Sequence, residues 1–567
     1  MSLTRAETQA LVGKRVWIIG LDGASWAFLD RYMGEGKLPC LEKLKSKGVW
    51  AKLRSTEPPL SPAAWTTFAT GKKPGKHGVL DHLYRLEGTY DFSFVNSSLR
   101  GATPIWSFLS RQGKKVGVIN VPLTYPAEPV NGFMVTGMYT PSDEHSFTYP
   151  PELAAELREA IGGYKVIGER SKENLDTALR GILEEIPMRT KAASYLARKY
   201  EPDLMVLVYG ATDAVQHKFW RFVDPQHPRY DPKAPELFRK AIEEVYRRVD
   251  ESVALLIKEA PQNTVFIIMS DHGAAPLYKY VYLNNWLIRE GFMKVRKGAF
   301  SRLRYAMYRL GITPFNLLAQ ISRVAPWLVD TLVGRLREEM STGKSKAHNL
   351  FMSWKDIDWT RTSAYAVGGN LGGFFVNLKG REPSGVVSPG QEYESVREAL
   401  SQRLRDLVDP DTGERIVERI WRREELYEGP FLGRIPDLIF STLGGRYMAF
   451  GLHEFASNKV MAPSPWFSGS HSPEGILLMA GEPCEGNREL ESASIEDIAP
   501  TVLHLLGFPI PRDMDGRVLE EALKESFLKE NGVQFSGPWD ETGNELLGLA
   551  PEEESAVRRQ LESLGYL

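Results

Sequence analysis

Residues 15–23 read RVWIIGLDG. An apolar run of this length that ends in Asp-Gly predicts a buried strand, parallel to its neighbours, that runs into a loop. The same shape recurs in KKVGVINV (114–121), DLMVLVYG (203–210) and NTVFIIMSDHG (263–273). Amphipathic helical patterns lie between these runs, at 173–200 and 234–260, with apolar residues on one face and charges on the other. Strands alternating with helices predict an α/β layered fold with a mostly parallel central sheet. In such sheets, function gathers at the carboxyl ends of the strands.

The texture changes after Tyr278. Residues 279–345 read as helical and rich in Arg and aromatics, as in FSRLRYAMYRLGITPFNLLAQ, and carry few chemistry-bearing side chains. We read 279–350 as a helical insertion over a core formed by 12–278 and 351–525, favouring a plain subdomain over a lid or a peripheral membrane contact through 279–345. A β-rich return follows in SAYAVGGNLGGFFVNLKG (363–380), then a helix in YESVREALSQRLRDLVD and a strand in IPDLIFS. In SIEDIAPTVLHLLGFPIPRDMDGRVL, Ser494 is placed to start a helix and Gly507 to stop it. Residues 526–567 form a C-terminal helical tail whose end, PEEESAVRRQLESLGYL, predicts an amphipathic helix for the core or a partner.

Bulk composition excludes several classes. A chain of 567 residues exceeds one compact core, which predicts one large domain with insertions, or two domains. The formal net charge of −2 gives no electrostatic case for binding a nucleic-acid duplex. Cys40 and Cys484 are the only cysteines, so neither a disulfide framework nor a thiolate metal site is indicated. No apolar signal region precedes the first strand, and the most apolar stretch, 314–334, is interrupted by Arg323, Pro326 and Asp330. The expectation is a cytoplasmic protein.

The stretch PPLSPAAWTTFATGKKPGKHG (58–78) places Ser61 between a Pro-rich bend and the first turn of a helix. Ser followed by Pro predicts an N-cap whose hydroxyl accepts an orphan backbone N–H. The same position, at the positive end of a helix dipole, suits a nucleophile. The rest of the chain favours that second use. Asp22 follows VWIIGL, Asp213 follows LMVLVYGAT with His217 four residues on, Asp271 and His272 follow VFIIMS, and His471 lies in SGSHSPEG. Singly, each has an ordinary explanation as an Asx-turn, a surface i, i+4 pair or a loop histidine. The remaining histidines (His77, His82, His145, His227, His348, His453, His504) show no comparable pattern and read as structural or exposed. Together, three Asp, three His and a Ser hydroxyl are enough for two divalent cations held by N and O ligands. That ligand chemistry suits Zn²⁺ first and Mn²⁺ second, and a metal pair is the clamp used for in-line displacement at phosphorus.

The ordered set GLDG, SPAAWTTFATGKKPGKHG, TDAVQH, SDHG and SHSPEG resembles the alkaline phosphatase superfamily, and within it the type I phosphodiesterase/nucleotide pyrophosphatase family. The resemblance runs from about residue 15 to 519, apart from the insertion. It implies an alkaline-phosphatase-like fold and a phosphorylated small-molecule substrate. It implies that Asp22, Asp271 and His272 hold one metal, which also contacts Ser61, and that Asp213, His217 and His471 hold the other. Ser61 would attack phosphorus, and water would later hydrolyse the phosphoseryl intermediate.

The chain also departs from the family's pattern. Its nucleophile is Ser rather than Thr, and Ala64 supplies no amide where the pattern has a phosphate-binding Asn; Asn120 is a candidate replacement. No Arg follows Ser61 closely, which argues against a typical phosphomonoesterase or a sulfatase. The leading expectation is hydrolysis of phosphodiester or pyrophosphate bonds. The alternatives are a phosphomonoesterase or phosphomutase on the same metal cradle, a phospho-group transferase at a membrane surface, and a scaffold that has lost the chemistry.

Overall fold

The computed structural model describes residues 14–142, 146–168, 174–314, 316–317, 350–368, 372–451, 455–464, 466–539 and 548–564. His145, His348, His453 and residues 318–349 of the stretch read as an insertion lie outside the described residues.

The first apolar run forms β1 (Arg15–Leu21). Its side chains alternate between two cores: Trp17, Ile19 and Leu21 enter one, Val16 and Ile18 the other. A strand buried on both faces explains why the run is apolar without a break. The sheet around it also contains β2 (Val49–Arg54), β3 (Val116–Ile119), β4 (Gly132–Val135), β5 (Thr148–Tyr149), β6 (Leu204–Tyr209), β7 (Thr264–Met269), β8 (Glu474–Ala480) and β9 (Arg488–Glu489), in the order β9-β2-β8-β7-β1-β6-β3-β4-β5. β1 is parallel to both β6 and β7, and β3 is parallel to β6 and β4. β8 runs antiparallel between β2 and β7. The sheet is therefore mostly parallel, and the four apolar runs singled out in the sequence are its four adjacent central strands.

Helices cover both faces. α1 (Ser61–Thr70) is buried along its whole length. Gly20 in β1 lets it come close, because a Cβ there would meet the Trp65 ring at 2.4 Å. The opposite face packs α2 (Leu175–Tyr200), α3 (Ala211–Phe219) and α4 (Ala241–Glu259), whose apolar stripes join the core of Trp17 and Ile19. Each large side chain so buried contributes roughly 1.5–3 kcal/mol relative to exposure.

A second, antiparallel sheet is built from Ala364–Tyr365, Gly373–Val376, Leu438–Thr442 and Val417–Arg422, with the helix Gln391–Arg405 close by. The stretch read as a helical insertion opens on a strand instead: Lys279–Tyr282 pairs with Tyr447–Phe450 and Met461–Pro463. The helix α5 (Ala299–Arg309) follows. Val281, Trp286, Met293 and Tyr308 share one apolar core with Phe374, Phe440 and Tyr447, so local composition did not reveal this strand's long-range partners. Ser494 forms a capping box with Asp497, and Gly507 takes a left-handed φ of 80° beyond Ile498–Leu505. The tail forms α6 (Pro551–Leu564), and Val557 and Leu561 pack on Val79, Leu83, Phe94 and Leu123. Among the described residues, no helix is long and apolar enough to cross a membrane.

Candidate active site

The carboxyl ends of β1, β6 and β7 lie side by side, and each delivers an acidic group. Asp22 follows β1, and its backbone N–H donates to the Tyr209 carbonyl at 3.1 Å. Gly23 turns the chain with a φ of 64°; a Cβ there would lie 2.8 Å from Asp213 Oδ1, so the close approach of the two acids requires glycine. Asp271 follows β7 and accepts the Gly23 N–H at 3.1 Å on Oδ1. Asp213 sits in the first turn of α3, and His217 one turn on faces it at 3.2 Å, Nε2 to Oδ1. His471 arrives on Gly469–Ser472, which pairs antiparallel with Gly273–Pro276 just after His272.

The three histidines share one orientation. Each Nδ1 faces a backbone carbonyl: Gly469 at 2.8 Å for His217, Pro59 at 2.8 Å for His471, and Gly273 at 3.0 Å for His272. A carbonyl only accepts, so each Nδ1 carries the proton, and in the neutral ring Nε2 presents a lone pair inward. His217 Nε2 and His471 Nε2 face each other at 3.1 Å, and the His272 and His471 rings stack with centroids 3.7 Å apart. Two lone pairs at that separation are relieved either by a cation beside them or by a proton on His217, whose imidazole Asp213 raises against the effect of burial.

The carboxylates pose the same choice. Asp22 Oδ2 accepts from Trp65 Nε1 at 3.1 Å, but Asp22 Oδ1 and Asp271 Oδ2 are buried with no hydrogen-bond partner. No Lys or Arg among the described residues pairs with either acid. Burial, then Asp271 and Asp213, push the Asp22 carboxyl well above its usual range; burial also raises Asp271. Burial would raise Asp213 as well, but His217 and His471 hold it low. Burial and His272 push His471 well below the usual imidazole range. The ligand atoms of Asp22, Asp271 and His272 lie within 4.8 Å of one another, as do those of Asp213, His272 and His471. The residues fit divalent cations. His272 stands between the two groups rather than in one alone, and His217 adjoins the second.

Ser61 is fully buried, with Oγ 3.2 Å from His272 Nε2. It is not the N-cap. Leu60 holds the extended cap conformation and Ser61 is the first helical residue. Its hydroxyl faces His272, at the start of a helix that is buried throughout. Asn120 takes a φ of 59° and donates Nδ2–H to the Val208 carbonyl at 2.8 Å. It lines a cavity of ≈ 50 Å³ together with Asp22, Asp213, Glu185 and Arg189.

Sequence reasoning passed over His82. It is fully buried, its Nδ1 lies 2.7 Å from the Tyr139 hydroxyl, and burial, opposed by Asp213, lowers its pKa to about 3. Only its place one residue after Asp81 hints at a role, and that pattern is too common to single out.

Residues 16–473 match the family model described as type I phosphodiesterase / nucleotide pyrophosphatase. No curated protein matches the chain significantly in sequence. Among solved structures, phosphonoacetate hydrolase from Sinorhizobium meliloti 1021 in complex with phosphonoformate is similar at a TM-score of 0.51 and 16% identity, over 87% of this chain and 96% of that one. Human ectonucleotide pyrophosphatase/phosphodiesterase 5 aligns at a TM-score of 0.49 and 13% identity, over 90% of this chain and 100% of that one. The strand-end acids, the inward-facing histidines and the family match over most of the chain agree: it belongs to the type I phosphodiesterase/nucleotide pyrophosphatase family, and is a phosphoric ester hydrolase.

Proposed function

We propose that the chain hydrolyses phosphodiester or pyrophosphate bonds through a covalent phosphoseryl intermediate on Ser61, with two divalent cations, Zn²⁺ first and Mn²⁺ second. The observation that carries this reading is the position of Ser61 Oγ, 3.2 Å from His272 Nε2, beside the unpartnered Asp22 Oδ1 and Asp271 Oδ2. Asp22, Asp271 and His272 would hold one cation, and Asp213, His217 and His471 the other. Bound cations supply Lewis-acid polarisation of the phosphoryl group and lower the pKa of a nucleophilic oxygen. Ser61 supplies that oxygen: its Oγ–phosphorus bond forms as the ester or anhydride bond breaks, and water later releases the phosphoryl group and restores the hydroxyl. Buried α1 would present Oγ to the phosphorus, and the Nδ1–carbonyl bonds keep the three imidazoles from rotating. Asn120 lines the cavity that adjoins Asp22 and Asp213, which supports it as the candidate to meet a phosphate oxygen.

The test is turnover of bis(p-nitrophenyl) phosphate against p-nitrophenyl phosphate by protein loaded with Zn²⁺ or Mn²⁺. Diester preference is expected. Monoester preference would move the assignment to a phosphomonoesterase, and no turnover of either with two metals bound would overturn it.

A further inference from the structure

The sequence contains no Asp or Glu between Glu290 and Asp330, in a chain whose acidic and basic residues otherwise nearly balance. Lys294, Arg296, Lys297, Arg302, Arg304 and Arg309 all fall in the described part of that interval. Helix α5 lies at its centre. One side of the helix is anchored: Tyr308 packs edge-on against Phe455, and Ser301 Oγ and Arg304 hold Asp356 at 2.7 and 2.9 Å. Among the described residues, nothing is seen to cover the other side. Phe300 is 78% exposed, Leu303 59% and Leu310 78%. At 3.6 residues per turn these three fall within about 80° of one another, so they make one apolar stripe rather than scattered exceptions. Arg302 and Arg309 are exposed along the helix, Lys297 is exposed just before it, and none of the three has an ion-pair partner among the described residues.

We propose that this face is a membrane-surface contact. α5 lies in the plane of an anionic lipid surface, with Phe300, Leu303 and Leu310 at the acyl boundary and Lys297, Arg302 and Arg309 among the phosphates. The combination selects the partner. Basic residues alone would suit a nucleic acid, but an apolar stripe gains little against a phosphate backbone. Apolar residues alone would suit a second copy of the chain, but a face this basic repels its own image. A leaflet of anionic lipid offers both hydrocarbon and negative charge. Three apolar side chains make a weak anchor, so binding is reversible and falls with salt.

The test is flotation of the full chain with vesicles of phosphatidylcholine, alone or with about one-third phosphatidylglycerol, at about 0.05 M and about 0.5 M salt. The protein should float with anionic vesicles at low salt, and at least about tenfold less with neutral vesicles or at high salt. Phe300→Ser/Leu303→Ser/Leu310→Ser should lose about tenfold of this binding while keeping its melting temperature and diesterase activity. If that variant does not fold, Lys297→Glu/Arg302→Glu/Arg309→Glu should lose binding in the same way. Failure of the wild type to float, or flotation of a folded variant as well as wild type, would overturn the proposal. So would a wild-type dimer that the apolar substitutions split, without vesicle binding, or a preference for an RNA oligonucleotide over anionic vesicles.

Discussion

Asp437 and Asp271 are both fully buried, yet their surroundings differ in kind. Asp437 Oδ1 accepts from Arg381 and from the Tyr393 hydroxyl, each at 2.7 Å, with Arg423 at 3.1 Å. Its Oδ2 accepts from Arg381 at 2.6 Å and from the Val376 N–H at 2.7 Å. Burial raises its carboxyl, but the Arg381 hydrogen bonds and charge more than reverse this, and it is held below the usual range. Asp271 has one backbone donor, an unpartnered Oδ2, and a raised carboxyl. The fold can therefore saturate a buried carboxylate with arginine when the role is to tie strands and helix together. Where it withholds arginine from Asp22 and Asp271, the carboxyls are raised and are neutralised by protons, or by a cation from outside the chain.

The sharpest break in this comparison concerns Ser61, whose hydroxyl faces His272 beside Asp271. Ser61→Ala leaves both clusters intact and removes the proposed nucleophile. Turnover of bis(p-nitrophenyl) phosphate should fall by about 10⁴-fold or more, while bound metal, measured by atomic emission, stays near the wild-type level. Metal lost in step with activity would show that Ser61 serves mainly as a ligand.

Next in size is the pair of isosteric changes. Asp437→Asn leaves Arg381 with Glu382 as its remaining carboxylate partner and should cost about 3 kcal/mol in urea unfolding. Asp271→Asn removes an unpaired buried charge. The metal-free protein should therefore unfold at the same or a higher urea concentration, while metal affinity measured by calorimetry falls at least about tenfold. Equal destabilisation by both changes would erase the distinction drawn above.

Chelation asks the same question of the wild type. Protein held at a hundredfold excess of free metal over Kd should lose about 3 kcal/mol of stability for each bound ion on transfer to chelator, read as a lower melting temperature. His471→Ala should lower the metal content from two toward one. Complete loss of both ions would mean that the bridging position of His272 couples the two groups too tightly to be treated separately.

The smallest effect uses a buried group outside both clusters. His77 is fully buried against Thr67 Oγ1, and burial, with Arg100, lowers its pKa from 6.5 to about 3. The unfolded chain takes up a proton below pH 6.5 that the folded chain refuses. The contribution is thus intact above pH 6.5 and is lost as the pH falls toward 3, at about 1.4 kcal/mol per pH unit. His77→Gln should remove that part of the slope in a urea-unfolding series from pH 7 to about 5; an unchanged slope would assign it to other groups.

Much of the site was legible because its signals are local. An unbroken apolar run predicts a strand buried on both faces, and the residue just past its end lies at the sheet's carboxyl edge. Asp22, Asp213 and Asp271 could therefore be placed from sequence, and an i, i+4 spacing set His217 beside Asp213. Other features depend on partners hundreds of residues away, and no local pattern encodes those. Only the tertiary structure puts the carbonyls of Pro59, Gly273 and Gly469 behind the three imidazoles and so chooses the nitrogen each presents. It alone sets His272 between the two groups, draws His82 toward them, turns Ser61 from a cap into the first helical residue, and pairs Lys279–Tyr282 with strands near residue 450. Periodicity and chain breaks are written in neighbouring residues. Hydrogen-bond partners and electrostatic fields belong to whichever atoms folding brings within a few ångströms.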